Sequence, residues 1–141
     1  MLYDVINVLV YAVVGIILMM LGSFLVDLVI PCDFPEEIKK RNEAVGYIMA
    51  GSFIAIGLIV KSAVMDHAAI AMEQTLVEGL TSTIIYSVLG ILLCIIGYLI
   101  TLLFNKRYNL NNEIGKGNKA AGIMIMGLFI GLGIIISGVI Y

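Results

Sequence analysis

Polar residues interrupt this chain rarely, and their placement divides it. Val5 to Val26, Ala44 to Val60, Thr81 to Phe104 and Ala120 to Tyr141 carry no charged side chain, and the second stretch continues past Lys61 to Met65. At 1.5 Å of rise per residue, about 20 residues cross the roughly 30 Å hydrocarbon core of a bilayer. Each stretch meets that length, so the pattern predicts four transmembrane helices and an all-α membrane protein. The first stretch is preceded by Asp4 rather than by a basic segment, exceeds a signal-peptide core in length and is followed by no Ala-x-Ala site. It is expected to remain as a helix.

Composition agrees. Of 141 residues, 62% are hydrophobic and 13% charged, with a mean hydropathy of +1.13. A soluble domain carries about a quarter charged residues. The four spans use nearly the whole chain, which excludes a soluble catalytic domain and leaves no nucleic-acid surface.

Formal net charge is −2, but the distribution says more. Lys39, Lys40 and Arg41 lie between the first two stretches; Lys106, Arg107, Lys116 and Lys119 lie between the last two; Lys61 alone lies on the opposite side. Basic loops stay in the cytoplasm. The expected topology in a cell (inner) membrane places loops 31–41 and 105–119 inside and both termini outside. Tyr3 and Tyr141 would then sit at the outer interface, and Tyr47 and Tyr108 at the inner one.

The two basic loops are nearly the same text. EIKKRNEAVG at 37–46 and EIGKGNKAAG at 113–122 match at Glu37/Glu113, Ile38/Ile114, Lys40/Lys116, Asn42/Asn118, Ala44/Ala120 and Gly46/Gly122, an offset of 76 residues. The match continues through Gly51/Gly127, Phe53/Phe129, Gly57/Gly133 and Ile59/Ile135. The preceding stretches align at 75 through Tyr11/Tyr86, Gly15/Gly90, Ile16/Ile91 and Gly22/Gly97. Such self-similarity indicates duplication. The expected organisation is two tandem two-helix repeats, 1–65 and 81–141, joined by an outer loop at 66–80. Two helices return the chain to its starting side, so the repeats enter the membrane in parallel.

Asn42 and Asn118 are placed to cap the helices that follow. Small residues come next, and Gly46-x-x-x-Ala50, Gly51-x-x-x-Ala55, Gly127-x-x-x-Gly131 and Gly133-x-x-x-Ser137 form faces on which helices approach closely. Gly15 with Gly22, and Gly90 with Gly97, mark single faces of the first and third spans. Bundle packing, subunit contact and a pore lining are all open to these faces. In the first loop, Asp33-Phe34-Pro35-Glu36-Glu37 reads as a helix start, predicting a short helix over 35–41; the second, with Asn-Asn and two glycines, reads as looser.

The pattern of Asp27 and Pro31 closing a first helix, followed by acidic-Ile-x-Lys-x-Asn-x-Ala-x-Gly, resembles the prokaryotic inner-membrane family catalogued as domain of unknown function 350. That resemblance covers the chain in two copies and implies a multi-pass cell-membrane protein. It supplies no reaction, ligand or catalytic residue. The second copy departs from the pattern: Leu102 and Leu103 stand where Asp27 would align, and no proline matches Pro31.

Candidate chemistry is sparse. Asp27 lies near the inner boundary, within reach of water or of a loop base, and Lys61 is positioned to extend to the outer interface. Asp66, His67, Glu73 and Glu78 make an acidic outer stretch without metal-ligand spacing. Cys32 and Cys94 are too far apart along the membrane normal for a disulfide; Cys32, at the surface, is open to acylation or to a plain packing role. No cofactor site and no catalytic constellation are expected. The motif residues Asp27, Glu37, Lys40, Asn42, Gly46, Glu113, Lys116, Asn118 and Gly122 are the functional candidates. Two functions compete. One is a structural or interaction module that assembles with itself or with another membrane protein, its basic loops available to anionic lipid. The other is a small channel or transporter with a polar constriction near Asn42 and Asn118.

Overall fold

The computed structural model describes residues 2–70 and 75–140. Six helices follow one another: α1 (Leu2–Val29), α2 (Phe34–Lys39), α3 (Glu43–Ile70), α4 (Leu76–Phe104), α5 (Leu110–Gly115) and α6 (Lys119–Ile140). Long, short, long occurs twice. Four of the helices are long and apolar enough to span a membrane: Tyr3–Val29, Glu43–Met65, Leu76–Phe104 and Lys119–Ile140. The chain is therefore an all-α, multi-pass membrane protein. Its outer surface is correspondingly apolar: Val8 is 68%, Leu28 72% and Val139 82% exposed. Contiguous surface of this kind suits lipid, where helices persist because their backbone hydrogen bonds are internal.

The connection between the halves is shorter than the 66–80 expected. α3 stays helical through Ile70 and α4 starts at Leu76. The early start has a local cause in Thr75 and Glu78. The Glu78 amide donates to Thr75 Oγ1 at 3.4 Å, and the Thr75 amide donates to Glu78 Oε2 at 2.9 Å, a capping box that satisfies two otherwise orphaned donors. The side chains of Asp66 and His67, with Glu73 and Tyr141, lie outside the described residues.

α3 is the centre of the bundle, packed against α1, α4 and, along most of its length, α6. Small residues set that closeness. A Cβ on Gly122 would stand 2.5 Å from Ala44 Cα, one on Gly51 2.7 Å from Met126 Cα, and one on Gly133 2.6 Å from Ala55 Cα. Each is backbone, which cannot move aside, so these positions require glycine. Gly90 receives Ile59, Gly22 receives Ile56, and Gly97 receives Leu132; Gly15 makes only an ordinary contact with Val60. Gly46, Gly57, Gly127 and Gly131 meet nothing within 4 Å. The faces at Gly127 and Gly131, read as packing positions, are thus unused within the chain. Ile48, Ile59, Ile114 and Ile125 fill the core, all fully buried. Several hydroxyls within the spans turn back on their own helices, as Thr83 Oγ1 does to the Gly79 carbonyl at 2.9 Å.

Candidate functional site

The candidate residues gather at one end of the bundle, where α2 and α5 lead into α3 and α6. α2 begins as the sequence suggests. Asp33 caps it by accepting the Glu36 amide at 2.9 Å, Pro35 occupies the first turn, and Glu36 and Glu37 lie at its positive end. Asp27, expected within reach of water or of a loop base, has a backbone partner: its Oδ1 accepts the Phe34 amide at 2.9 Å. That bond ties the end of α1 to the start of α2 and holds Phe34 in the core.

From Glu37 to Asn42 the backbone closes tightly. The amides of Lys40, Arg41 and Asn42 donate to the carbonyls of Glu36, Ile38 and Glu37 at 3.0, 3.0 and 2.9 Å. Arg41 takes φ 61°, a left-handed conformation costly for a residue with a Cβ. Asn42 then engages both ends of its side-chain amide. Its Oδ1 accepts the Val45 amide at 3.3 Å, capping α3, while Nδ2 donates to Glu37 Oε2 at 2.7 Å and to the Ile114 carbonyl at 2.9 Å. The last bond crosses between halves and is buried. Lys40 Nζ donates to Glu37 Oε1 at 3.0 Å.

The second loop repeats this chemistry. It is not looser: α5 is a helix capped by Asn109, whose side chain accepts the Asn112 amide at 3.1 Å. Asn118 Nδ2 donates to Glu113 Oε2 at 2.8 Å, Asn118 Oδ1 accepts the Ala120 amide at 3.1 Å, and Lys116 Nζ donates to Glu113 Oε1 at 3.4 Å. Gly117 occupies the left-handed position at φ 80°, matching Arg41. Asn42 and Lys40 hold the Glu37 carboxyl below its ordinary range, and Asn118 and Lys116 do the same for Glu113. Lys40 is raised in return by Glu37. The residue types thus have a mechanical reason: glutamate accepts from the asparagine that caps the next helix, and lysine closes its other oxygen.

The structure brings Glu37, Lys40 and Asn42 into one lock and Glu113, Lys116 and Asn118 into a second. Gly122 joins them through its contact with Ala44; Gly46 contacts nothing. Lys119 forms an ion pair with Glu43 across the α6–α3 junction. With the side chains 54% and 58% exposed, water screens it and it contributes little to stability. Between the loops lies an open cleft of about 410 Å³, bordered by Glu37, Lys40, Arg41, Asn42, Glu43 and Lys116, in which acids and bases nearly balance. Cys32 is half-buried beside this region. Burial first, and then Glu37, Asp27 and Asp33, push its thiol up to about 11, which makes it a poor nucleophile. Asn109, the Ile114 carbonyl and the Glu43–Lys119 pair are not among the residues that the sequence pattern singles out. An asparagine a few residues after an apolar span is a capping signal, but the other two depend on long-range contact.

A profile of the family described as Domain of Unknown Function (DUF350) matches residues 1–140. The chain belongs to the DUF350 family. Its curated relatives are transmembrane proteins. A "UPF0719 transmembrane protein" of Aquifex aeolicus (strain VF5) is 25% identical over 129 residues, covering 90% of this chain and 46% of that protein. The "UPF0719 transmembrane protein YshE" of Bacillus subtilis (strain 168) is 23% identical over 134 residues, covering 95% of this chain and 92% of that protein. This DUF350 chain therefore spans about half the length of the Aquifex relative and nearly all of the Bacillus one. No solved structure matches it.

Proposed function

We propose that this DUF350 chain is a membrane-embedded assembly module whose activity is to hold membrane segments together. One observation carries the reading. On α3 and α6, Gly51, Gly122 and Gly133 are used for close helix contact, while Gly46, Gly57, Gly127 and Gly131 on the same helices have open space where a Cβ would stand. Glycine in a span gives lipid no packing advantage, but it lets another helix approach to backbone distance. The paired loops serve this role by fixing where α3 and α6 emerge. The basic loops are read as cytoplasmic and both ends as external.

The polar groups at the site are used for locking. Both amide hydrogens of Asn42 have acceptors, and the helix that bears it is pressed onto Gly122. That arrangement gives little support to a polar constriction at Asn42 and Asn118, and the carboxylates of the two locks are already engaged by neighbouring amides and lysines, which supports a non-catalytic role.

The test is gentle extraction into native lipid discs with mass determination. A mass above the 15.3 kDa of one chain plus lipid, from further copies or from another membrane protein, is expected. A single chain alone would overturn the reading.

A further inference from the structure

We propose that copies of this chain associate head-to-tail in the membrane plane, α6 of one docking on α3 of the next by the contact that joins α3 to α6 within the chain. The inference deepens the assembly reading and rests on it. It also treats the two halves as equivalent units at the offset of 76 residues seen in the sequence.

The internal junction is asymmetric. α3 contributes Ala44, Gly51 and Ala55; α6 contributes Gly122, Met126 and Gly133. Shifted back by the offset, the α6 set corresponds to Gly46, Ala50 and Gly57 on α3. Residues 44 and 46 are two apart, about 200° around a helix. The halves therefore meet through unlike faces. A two-fold pair uses one face twice and leaves none free, whereas a junction of unlike faces leaves one of each unused and can propagate.

Those unused faces are the open ones. On α3 they are Gly46, Ala50 and Gly57; on α6 they are the counterparts of Ala44, Gly51 and Ala55, namely Ala120, Gly127 and Gly131. All six are alanine or glycine, and a Cβ on any of the four glycines would meet nothing within 4 Å. Larger residues on the α6 face agree. Ile48, Ile59 and Ala63 of α3 are fully buried, while their counterparts Met124, Ile135 and Val139 are 37%, 64% and 82% exposed.

The outer pair of helices points the same way independently. α4 packs against α1, α3 and α6, whereas α1 packs chiefly against α3 and α4. Thr83 and Ile91 of α4 are buried, whereas their counterparts Val8 and Ile16 are 68% and 58% exposed. In the first half, α4 seats beside Tyr11 and Ile59, with Gly79 against the Tyr11 hydroxyl and Gly90 against Ile59. The corresponding place in the second half is an apolar groove of about 360 Å³ between α4 and α6, lined in part by Tyr86 and Ile135. Continuing the pattern puts α1 of the next copy there, with its Gly15 against Ile135. At the loops, buried Asn42 bonds the buried Ile114 carbonyl, while Asn118 and Ile38 are exposed. The same step brings Asn118 to the Ile38 carbonyl of the next copy. It also brings Lys119 to the next copy's Glu43, opposite in charge as in the internal pair.

Two blocking variants test this in native lipid discs. Gly131→Leu fills the α6 face and Gly57→Leu the α3 face, and at neither position would a Cβ meet an atom of its own chain within 4 Å. Wild type should contain more than two copies, as a closed ring or a row. Each variant alone should fall to a single chain with unchanged thermal unfolding. The two coexpressed should form pairs and nothing larger, because one junction remains between them. Oligomers unaffected by either variant, or no pairs on coexpression, would overturn the head-to-tail surface and leave the assembly reading standing. Wild type as a lone chain would overturn both.

Discussion

α3 and α6 start from the same motif and end in different surroundings. Asn42 is 8% exposed and reaches across to the other half, whereas Asn118 is exposed and bonds within its own loop. Ile114 is fully buried and Ile38 is 45% exposed. Gly122 lies on backbone and Gly46 on nothing. The local chemistry, a capped helix locked by glutamate and lysine, is the same in each loop because it needs only neighbours in sequence. The difference arises one level up, where the first loop faces a partner half and the second does not.

The comparison breaks most sharply at the glycines. Gly122→Leu should cost about 3 kcal/mol or more, since the new side chain meets the backbone of Ala44 and overpacking of this kind is expensive. Gly46→Leu should change the unfolding free energy of the single chain in micelles by less than about 0.5 kcal/mol. Equal effects would show that the two positions are not differently packed. Next come the asparagines. Asn42→Ala removes a cap and a buried bond to the Ile114 carbonyl, which keeps the Gly117 amide, costing about 2 kcal/mol; Asn118→Ala loses chiefly a cap, costing about 1 kcal/mol.

Smaller still are the left-handed positions. Arg41→Gly should stabilise by up to about 1 kcal/mol by relieving a positive φ, and Gly117→Ala should destabilise by a similar amount. The least effect is expected from acid. Glu37 and Glu113 have folded pKa values below their unfolded ones. Their contribution is therefore full above the ordinary glutamate pKa of about 4.3 and declines as pH falls through the depressed folded values. Glu37→Gln should flatten the acid limb of the unfolding profile, and Glu37→Gln with Glu113→Gln should flatten it further.

Much of this architecture is legible in the order of residues alone. Four uncharged runs of bilayer length fix the spans, because few residues in them could tolerate any other solvent. The caps at Asp33, Asn42 and Asn118 follow from residue type and position. The sequence reads less well where context decides. Thr75-Leu-Val-Glu78 is a capping box, but it precedes the uncharged run that starts at Thr81, so hydropathy places α4 too late. Asn109 to Gly117 looks loose from its glycines, yet Asn109 caps a helix and Gly117 supplies the turn that ends it. Which face of each span is inside cannot be read from hydrophobicity. Lipid tails are as apolar as a protein core, so no polar stripe distinguishes inward from outward. Only close approach separates Gly122 from Gly127.

The most direct measurement is cross-linking in native membranes, with Cys32→Ser and Cys94→Ala in every chain. One tagged copy carries Ala120→Cys and a differently tagged copy carries Gly46→Cys; at position 46 a Cβ meets nothing of its own chain. Oxidation should yield a covalent product bearing both tags, abolished by adding Gly131→Leu to the first copy. Absence of the mixed product, or its persistence with the blocked face, would contradict the account.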